Sequence, residues 1–189
     1  MRLTVSIALA FLLVLGTPAA LANNTPTPEP ALDLPKLMGT WYVIARMPNP
    51  VERGHVTSRD EYTLVEDGKV AVRYLYREGF HEPEKEVRAR ASVDAESGNR
   101  DWRVWFYRVI PAKQRILEVA PDGSWMLLSY PGRDLAWIFS RTPDMSRDLY
   151  RQLVNKMRDD YDIYTDKLLR VPQLPQQVDK LGFEVPEKR

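Results

Sequence analysis

The sequence predicts an all-β protein, an eight-stranded antiparallel up-and-down β-barrel with one C-terminal α-helix packed outside. Three observations lead there. From Gly39 to Arg141 the chain divides into eight short runs, most of them alternating apolar and polar residues with period two. The breaks carry turn chemistry, as in Glu66-Asp67-Gly68, Ser97-Gly98-Asn99, Pro121-Asp122-Gly123 and Pro131-Gly132-Arg133-Asp134. Only after the eighth run does the apolar spacing become helical.

The chain opens with Met1-Arg2, an apolar run from Leu3 to Leu15, and the small-residue site Ala20-Leu21-Ala22. This is the pattern of a signal peptide, residues 1–22, cleaved near Ala22. Residues 23–35 are rich in Thr, Pro and Asn and read as a linker. Residues 36–172 hold the barrel domain and 173–189 a C-terminal tail. The tail reads as disordered by default, with Leu181 and Phe183 the residues that would dock if it turned back.

One short helical turn over Asp33–Met38 feeds the first strand, Gly39–Met47, and Pro48-Asn49-Pro50 begins a loop to about Gly54. Val56–Val65 and Lys69–Glu78 form a hairpin around Asp67-Gly68, where glycine takes the positive φ of the turn. In the third strand Val70, Val72, Tyr74 and Tyr76 share one face while Arg73 and Arg77 take the other. In the fourth, Val87, Ala89, Ala91 and Val93 alternate with Arg88, Arg90 and Ser92. The charged parity must face water, so the apolar parity faces in.

Trp102–Val109 follows, with Val104 and Phe106 inward and Trp105 and Tyr107 on the outer parity. Pro111–Lys113 read as a turn into Ile116–Ala120. Trp125–Tyr130 has no readable inner face, because Met126 and Leu128 are no more apolar than Trp125 and Leu127. Leu135–Arg141 closes the set with Trp137 and Phe139 inward. Ser146 then caps a helix, Met145 and Tyr150 are placed for a hydrophobic staple, and Leu149, Leu153, Met157 with Tyr150, Val154 and Tyr161 make its apolar stripe. Trp105 and Tyr107 are candidates for its seat.

Composition excludes several functions. Without Arg2 the remaining chain carries 26 residues of each sign, so charge gives no reason to expect a nucleic-acid partner. There is no cysteine, hence no thiol nucleophile, no disulfide and no residue for a lipid anchor at the cleavage site. The two histidines, His55 and His81, fall in loops and suggest neither a metal site nor haem ligation. No phosphate loop, G-x-S-x-G or serine–histidine pairing stands out, so no catalytic residue and no cofactor is assigned. Asp60 shares its parity with Tyr62; inside an apolar cup it would need a partner, and a place near the rim, in water, is the reading adopted.

Gly39-Thr40-Trp41 at the start of the first strand, Val51-Glu52-Arg53-Gly54 after it, and Leu135-Ala136-Trp137-Ile138-Phe139-Ser140-Arg141-Thr142-Pro143 far downstream occur in one order. Together they resemble the lipocalin family, and within it the bacterial lipocalins and their apolipoprotein D relatives. Lys167–Val171 is similar to that family's short final strand. The resemblance implies that Gly39, Trp41 and Arg141 build the closed floor of the barrel, Arg141 packing over the Trp41 ring. It also implies that the inward residues Tyr62, Tyr74, Tyr76, Val87, Ala89, Ala91, Val104, Phe106, Trp137 and Phe139 line a cup instead of filling a solid core.

The function it implies is binding and transport or storage of a small hydrophobic ligand, a fatty acid, lysophospholipid or similar lipid, in membrane maintenance or stress. An isomerase or hydrolase-like enzyme acting on a hydrophobic substrate in the same cup is the alternative. Bacterial relatives are often lipoproteins acylated on a cysteine; here a soluble periplasmic or secreted protein is expected, monomeric or homodimeric, with transient membrane contact.

Overall fold

The alternating runs pair in the order in which they occur. The computed structural model describes residues 29–66, 68–106, 110–132 and 134–188, so the signal-peptide reading lies outside the described residues. Strands β1 (Gly39–Arg46), β2 (Val56–Glu66), β3 (Lys69–Arg77), β4 (Lys85–Val93), β5 (Asp101–Phe106), β6 (Ile110–Val119), β7 (Trp125–Ser129) and β8 (Ala136–Ser140) form one antiparallel sheet. Because β1 pairs with both β2 and β8, the eight strands close into a barrel. A ninth strand, β9 (Leu169–Arg170), adds to β1.

β6 starts earlier than the sequence suggests and carries Pro111 within it. Pro111 faces Trp105 on β5, whereas β7 pairs with β6 only from Arg115 onward. On that unpartnered side the missing N–H of proline costs no ladder bond.

The barrel has two packed faces. Inside lie Trp41, Val43, Tyr62, Val70, Val72, Ala89, Ala91, Trp102, Val104, Ile116, Met126, Leu128 and Phe139. Outside, helix α2 (Arg147–Tyr161) lays Leu153 and Met157 against Ile44, Leu127, Ala136 and Ile138, with Trp125 and Leu117 at the margins. The ambiguous strand is thus resolved: Met126 and Leu128 point in, while Trp125 and Leu127 point out under the helix. Trp105 belongs to neither cluster and is not the helix seat, and Tyr107 lies outside the described residues. The Ser146 hydroxyl accepts the Leu149 N–H at 3.2 Å, capping α2 as its sequence predicts.

The described residues on either side of the barrel strands are built onto the barrel. Of the expected linker, residues 29–35 are described, and they dock: Leu32 N–H donates to Gly98 O at 2.9 Å and Asn99 Nδ2 to Leu32 O at 2.8 Å. A short helix α1 (Leu34–Leu37) then buries both leucines against the inner cluster, closing that end. The tail is ordered as well. Gln173 Nε2 donates to Val43 O at 2.8 Å and to Ser58 O at 2.9 Å, bridging β1 and β2 where they part. Phe183 docks, with the Arg170 guanidinium 4.7 Å from its ring, but Leu181 is fully exposed.

A β-bulge in β1 decides what occupies the open end. Trp41 and Val43 point in and Ile44 points out, but the register shifts between Val43 and Ala45. Ala45 and Met47 therefore join the outer cluster, and Arg46, which simple alternation would place outside, turns inward.

Candidate functional site

At the closed end, Trp41 is 0% exposed and its Nε1 donates to Leu37 O at 2.8 Å. The Arg141 guanidinium lies 3.6 Å from the Trp41 ring centroid and donates to Thr40 O at 2.9 Å and Lys36 O at 2.7 Å. Burial lowers the Arg141 pKa and Tyr62 opposes it, while the ring face gives the guanidinium charge a contact. Gly39 has φ +94°, and a Cβ there would stand 3.4 Å from Arg141 Nη1. The Gly-x-Trp motif is thus local mechanics: glycine admits the left-handed turn that starts β1 beneath the arginine.

Above this floor the wall is narrow-chained and apolar. Ala89, Ala91, Val104 and Phe139 are buried, while Val87, Phe106 and Trp137 keep part of their surface accessible nearer the open end. Tyr62 packs 5.3 Å from Trp102, and Gln114 hydrogen-bonds its hydroxyl. Burial, with Asp60 beside it, holds the Tyr62 phenol well above its ordinary pKa.

Asp60 is inside the barrel, not at the rim. It lies between Trp41 on β1 and Tyr74 on β3 and accepts the Tyr62 hydroxyl at 3.0 Å. Part of its surface stays accessible. Burial pushes its carboxyl from 3.8 up to about 7, the Glu52 charge adds to this, and the Tyr62 hydrogen bond opposes it.

Because that pKa rises on folding, the proton's contribution to stability is complete below about pH 4 and is lost as pH rises through about 7. Asp60→Asn is expected to be more stable than the parent at pH 8, on the order of 2 kcal/mol after allowance for water reaching the carboxylate. At pH 4 the two should agree. Urea unfolding at both pH values checks this, and a gap that does not narrow toward pH 4 would remove burial as its cause.

The open end is polar and crowded. Arg46 is 0% exposed; its Nε donates to Glu184 Oε1 at 3.0 Å and its Nη2 to Glu184 Oε2 at 2.6 Å and His55 O at 3.0 Å. Its Nη1 lies 3.4 Å from both Ser58 Oγ and Tyr74 OH. Burial alone would lower the Arg46 pKa, but the Glu184 bond and surrounding negative potential outweigh it and the pKa stands raised. His55, though in a loop, is buried: it stacks on Tyr76 at 3.6 Å, and its Nδ1 lies 3.0 Å from Tyr74 OH. Burial, then the Arg46 charge, lowers its pKa to about 4, so the ring is neutral at pH 7. Glu52, from the β1–β2 loop, accepts Trp137 Nε1 at 2.9 Å and Asn49 Nδ2 at 2.6 Å.

Of the predicted lining residues, Tyr74 and Tyr76 thus belong to this polar mouth, while Tyr62, Ala89, Ala91, Val104 and Phe139 lie deeper. Arg46, Ser58, Gln114 and Glu184 were missed. The bulge that turns Arg46 inward and the 138-residue separation to Glu184 leave no local trace in the sequence. A cleft of about 470 Å³ lies between the β1–β2 loop and the tail, bordered by Pro48, Gly54, His55, Leu169, Glu184 and Pro186. Among the described residues no group of three or more His, Cys, Asp or Glu could hold a metal ion.

Known proteins share this architecture. The chain is 32% identical over 155 residues to temperature-induced lipocalin-1 of Arabidopsis thaliana, covering 75% of this chain and 80% of that protein. It is 27% identical over 143 residues to outer membrane lipoprotein Blc of Citrobacter freundii, covering 70% and 78%. The solved structure of insecticyanin from the tobacco hornworm Manduca sexta superposes with a TM-score of 0.61 at 14% identity, over 86% of this chain and 93% of that one, a likeness of fold. Residues 32–173 match the model of the lipocalin-like domain, and the chain belongs to the lipocalin family, in its bacterial-type group.

Proposed function

We propose that the barrel binds one fatty acid, lysophospholipid or similar lipid through its open end and carries or stores it without chemical change. The family generally binds small hydrophobic ligands. The observation that supports the finer reading is the gradient along the lumen. Trp41 and Trp102 seal the floor, small Ala89 and Ala91 line the wall, and Val87, Phe106 and Trp137 keep accessible surface toward the mouth. An acyl chain fits that order, apolar end down and polar head among Tyr74, His55 and Arg46. Each buried methylene contributes about 0.8 kcal/mol, and the cost of immobilising chain and side chains reduces the sum to micromolar affinity or somewhat better.

A role in membrane maintenance or stress accompanies this reading, as does export through Met1–Ala22 into the periplasm or medium. The similarity to proteins named outer membrane lipoproteins supports an extracytoplasmic place, and the absence of cysteine supports a protein without their anchor. Among the described residues no helix is long and apolar enough to cross a membrane. A monomer or homodimer touching membranes transiently would suffice for loading.

Native mass spectrometry of the protein purified from its own host tests this. A lipid-sized mass released on denaturation is expected, and added palmitate should compete for the same place. A barrel that emerges empty and refuses fatty acid and lysophospholipid would overturn it. Asp60, with its pKa about 7 beside the Tyr62 hydroxyl, favours one other reading, an acid–base isomerase in the same lumen. A released lipid chemically identical to the one supplied argues against it.

A further inference from the structure

We propose that Arg46, together with the Gly54 N–H, is a binding site for the carboxylate of an acyl ligand, and that the chain's own Glu184 holds this site until a ligand displaces it. The inference rests on the lipid-carrier reading above and names the head group it would select.

The arrangement is a carboxylate receptor. Two guanidinium nitrogens of Arg46 meet the two Glu184 oxygens in a fork, and Gly54 N–H donates to Oε2 at 3.0 Å. Bidentate pairing of this kind fits a planar carboxylate in particular. The receptor stands where a head group would arrive. The β1 bulge aims Arg46 into the mouth, and its third nitrogen reaches Tyr74 and Ser58, which continue the inward faces of β3 and β2. The other acidic groups nearby are engaged elsewhere, Glu52 with Trp137 and Asn49, and Asp60 with Tyr62.

Glu184 is a substituent on a strap and not part of the barrel wall. From Gly182 onward the tail is held mainly by backbone bonds and surface ion pairs. Glu184 N–H donates to Arg170 O at 2.8 Å, Glu187 N–H to Gly54 O at 2.9 Å and Lys188 N–H to Glu78 O at 2.7 Å, while Lys188 Nζ pairs with Glu78 at 2.7 Å. Leu181 and Val185 are exposed and Phe183 is half-buried, so Pro186 is the apolar residue the strap buries fully. It nonetheless fits closely: a Cβ on Gly79 would collide with the Lys188 carbonyl. The strap thus ties the β1–β2 and β3–β4 loops together across the mouth.

Charge then dictates selectivity. An incoming carboxylate replaces Glu184 one for one and leaves Arg46 paired, whereas a neutral head group could displace Glu184 only by stranding a buried guanidinium. Competition with the strap lowers the apparent affinity by the fraction of time the strap is open.

The full-length chain and its Glu184→Gln and Glu184→Ala variants test the proposal in two ways. Palmitate and hexadecanol, equal in chain length, are titrated by tryptophan fluorescence. Glu184→Gln is expected to bind palmitate about tenfold more tightly while hexadecanol changes less than about twofold. An equal change for both probes overturns the proposal. Separately, Glu184→Ala is melted in sodium acetate and in sodium chloride of equal ionic strength. Acetate should raise its midpoint by several degrees and leave the parent unmoved; identical melting in both salts counts against the site.

The arms separate the two readings. Acetate rescue without binding of either lipid keeps the carboxylate site and removes the carrier. Binding of both lipids, unaffected by Glu184→Gln and without acetate rescue, keeps the carrier and removes the site.

Discussion

Replacing Arg46 by leucine is expected to lower the stability of the folded chain by about 3–5 kcal/mol, because it leaves the Glu184 carboxylate buried without its cation. The Glu184 side chain is 2% exposed and would keep only the Gly54 N–H as a donor within the mouth. The reverse change, Glu184→Leu, strands Arg46 and should cost a similar amount. Replacing both by leucine removes the need for either charge and should recover most of the loss, since a buried ion pair gains little over an apolar pair of similar volume. Urea unfolding of the parent, both single variants and the double variant at pH 7 completes the cycle. A cycle that closes additively, or single variants costing under about 1 kcal/mol, would mean that water reaches the pair and that the strap is not closed over it.

The same pair marks the limit of what the sequence could reveal. Alternation works where a strand has one wet and one dry face, so β3 and β4, with arginines opposite Val70, Val72, Ala89 and Ala91, were legible apart from Leu75, which is buried on the arginine side. It fails where both faces are dry. Trp125–Ser129 lies between lumen and helix, and only the position of α2 decides that Met126 and Leu128 are the luminal pair.

It also fails at irregularities. The bulge between Val43 and Ala45 reverses the parity of Arg46, and nothing in the residues of β1 announces it. The outward aromatics of β5 suggest a seat for α2 there, but the helix lies over β1, β7 and β8, where Ile44, Leu127, Ala136 and Ile138 are flanked by Trp125. The tail looked disordered because its hydrophobicity is weak; it is held by polar bonds to loops distant in sequence, which composition does not register. The closed end and the inward faces of β3 and β4 were therefore readable, while the open end, assembled from a bulge, two loops and a tail, was not.

Truncating Trp41 to alanine is the second large effect expected, a loss of about 3–5 kcal/mol from a fully buried indole. The ring carries three connections at once: packing in the inner cluster, the Nε1 bond to Leu37 O at 2.8 Å that anchors α1, and the Arg141 guanidinium at 3.6 Å. Trp41→Phe keeps most of the packing and should lose about 1–2 kcal/mol, largely the indole hydrogen bond and part of the cation–π contact. These variants differ from those at Arg46 in their second readout. Trp41 lies at the floor, where β1 begins, and Arg46 at the mouth, where β1 ends, so loss of the ring should lower the unfolding midpoint while the folded fraction keeps its palmitate-to-hexadecanol preference. If Trp41→Ala instead erased that preference with the fold intact, as judged by circular dichroism, floor and mouth would be coupled through β1. The bulge between them would then transmit strain where the separation of roles requires it to absorb strain.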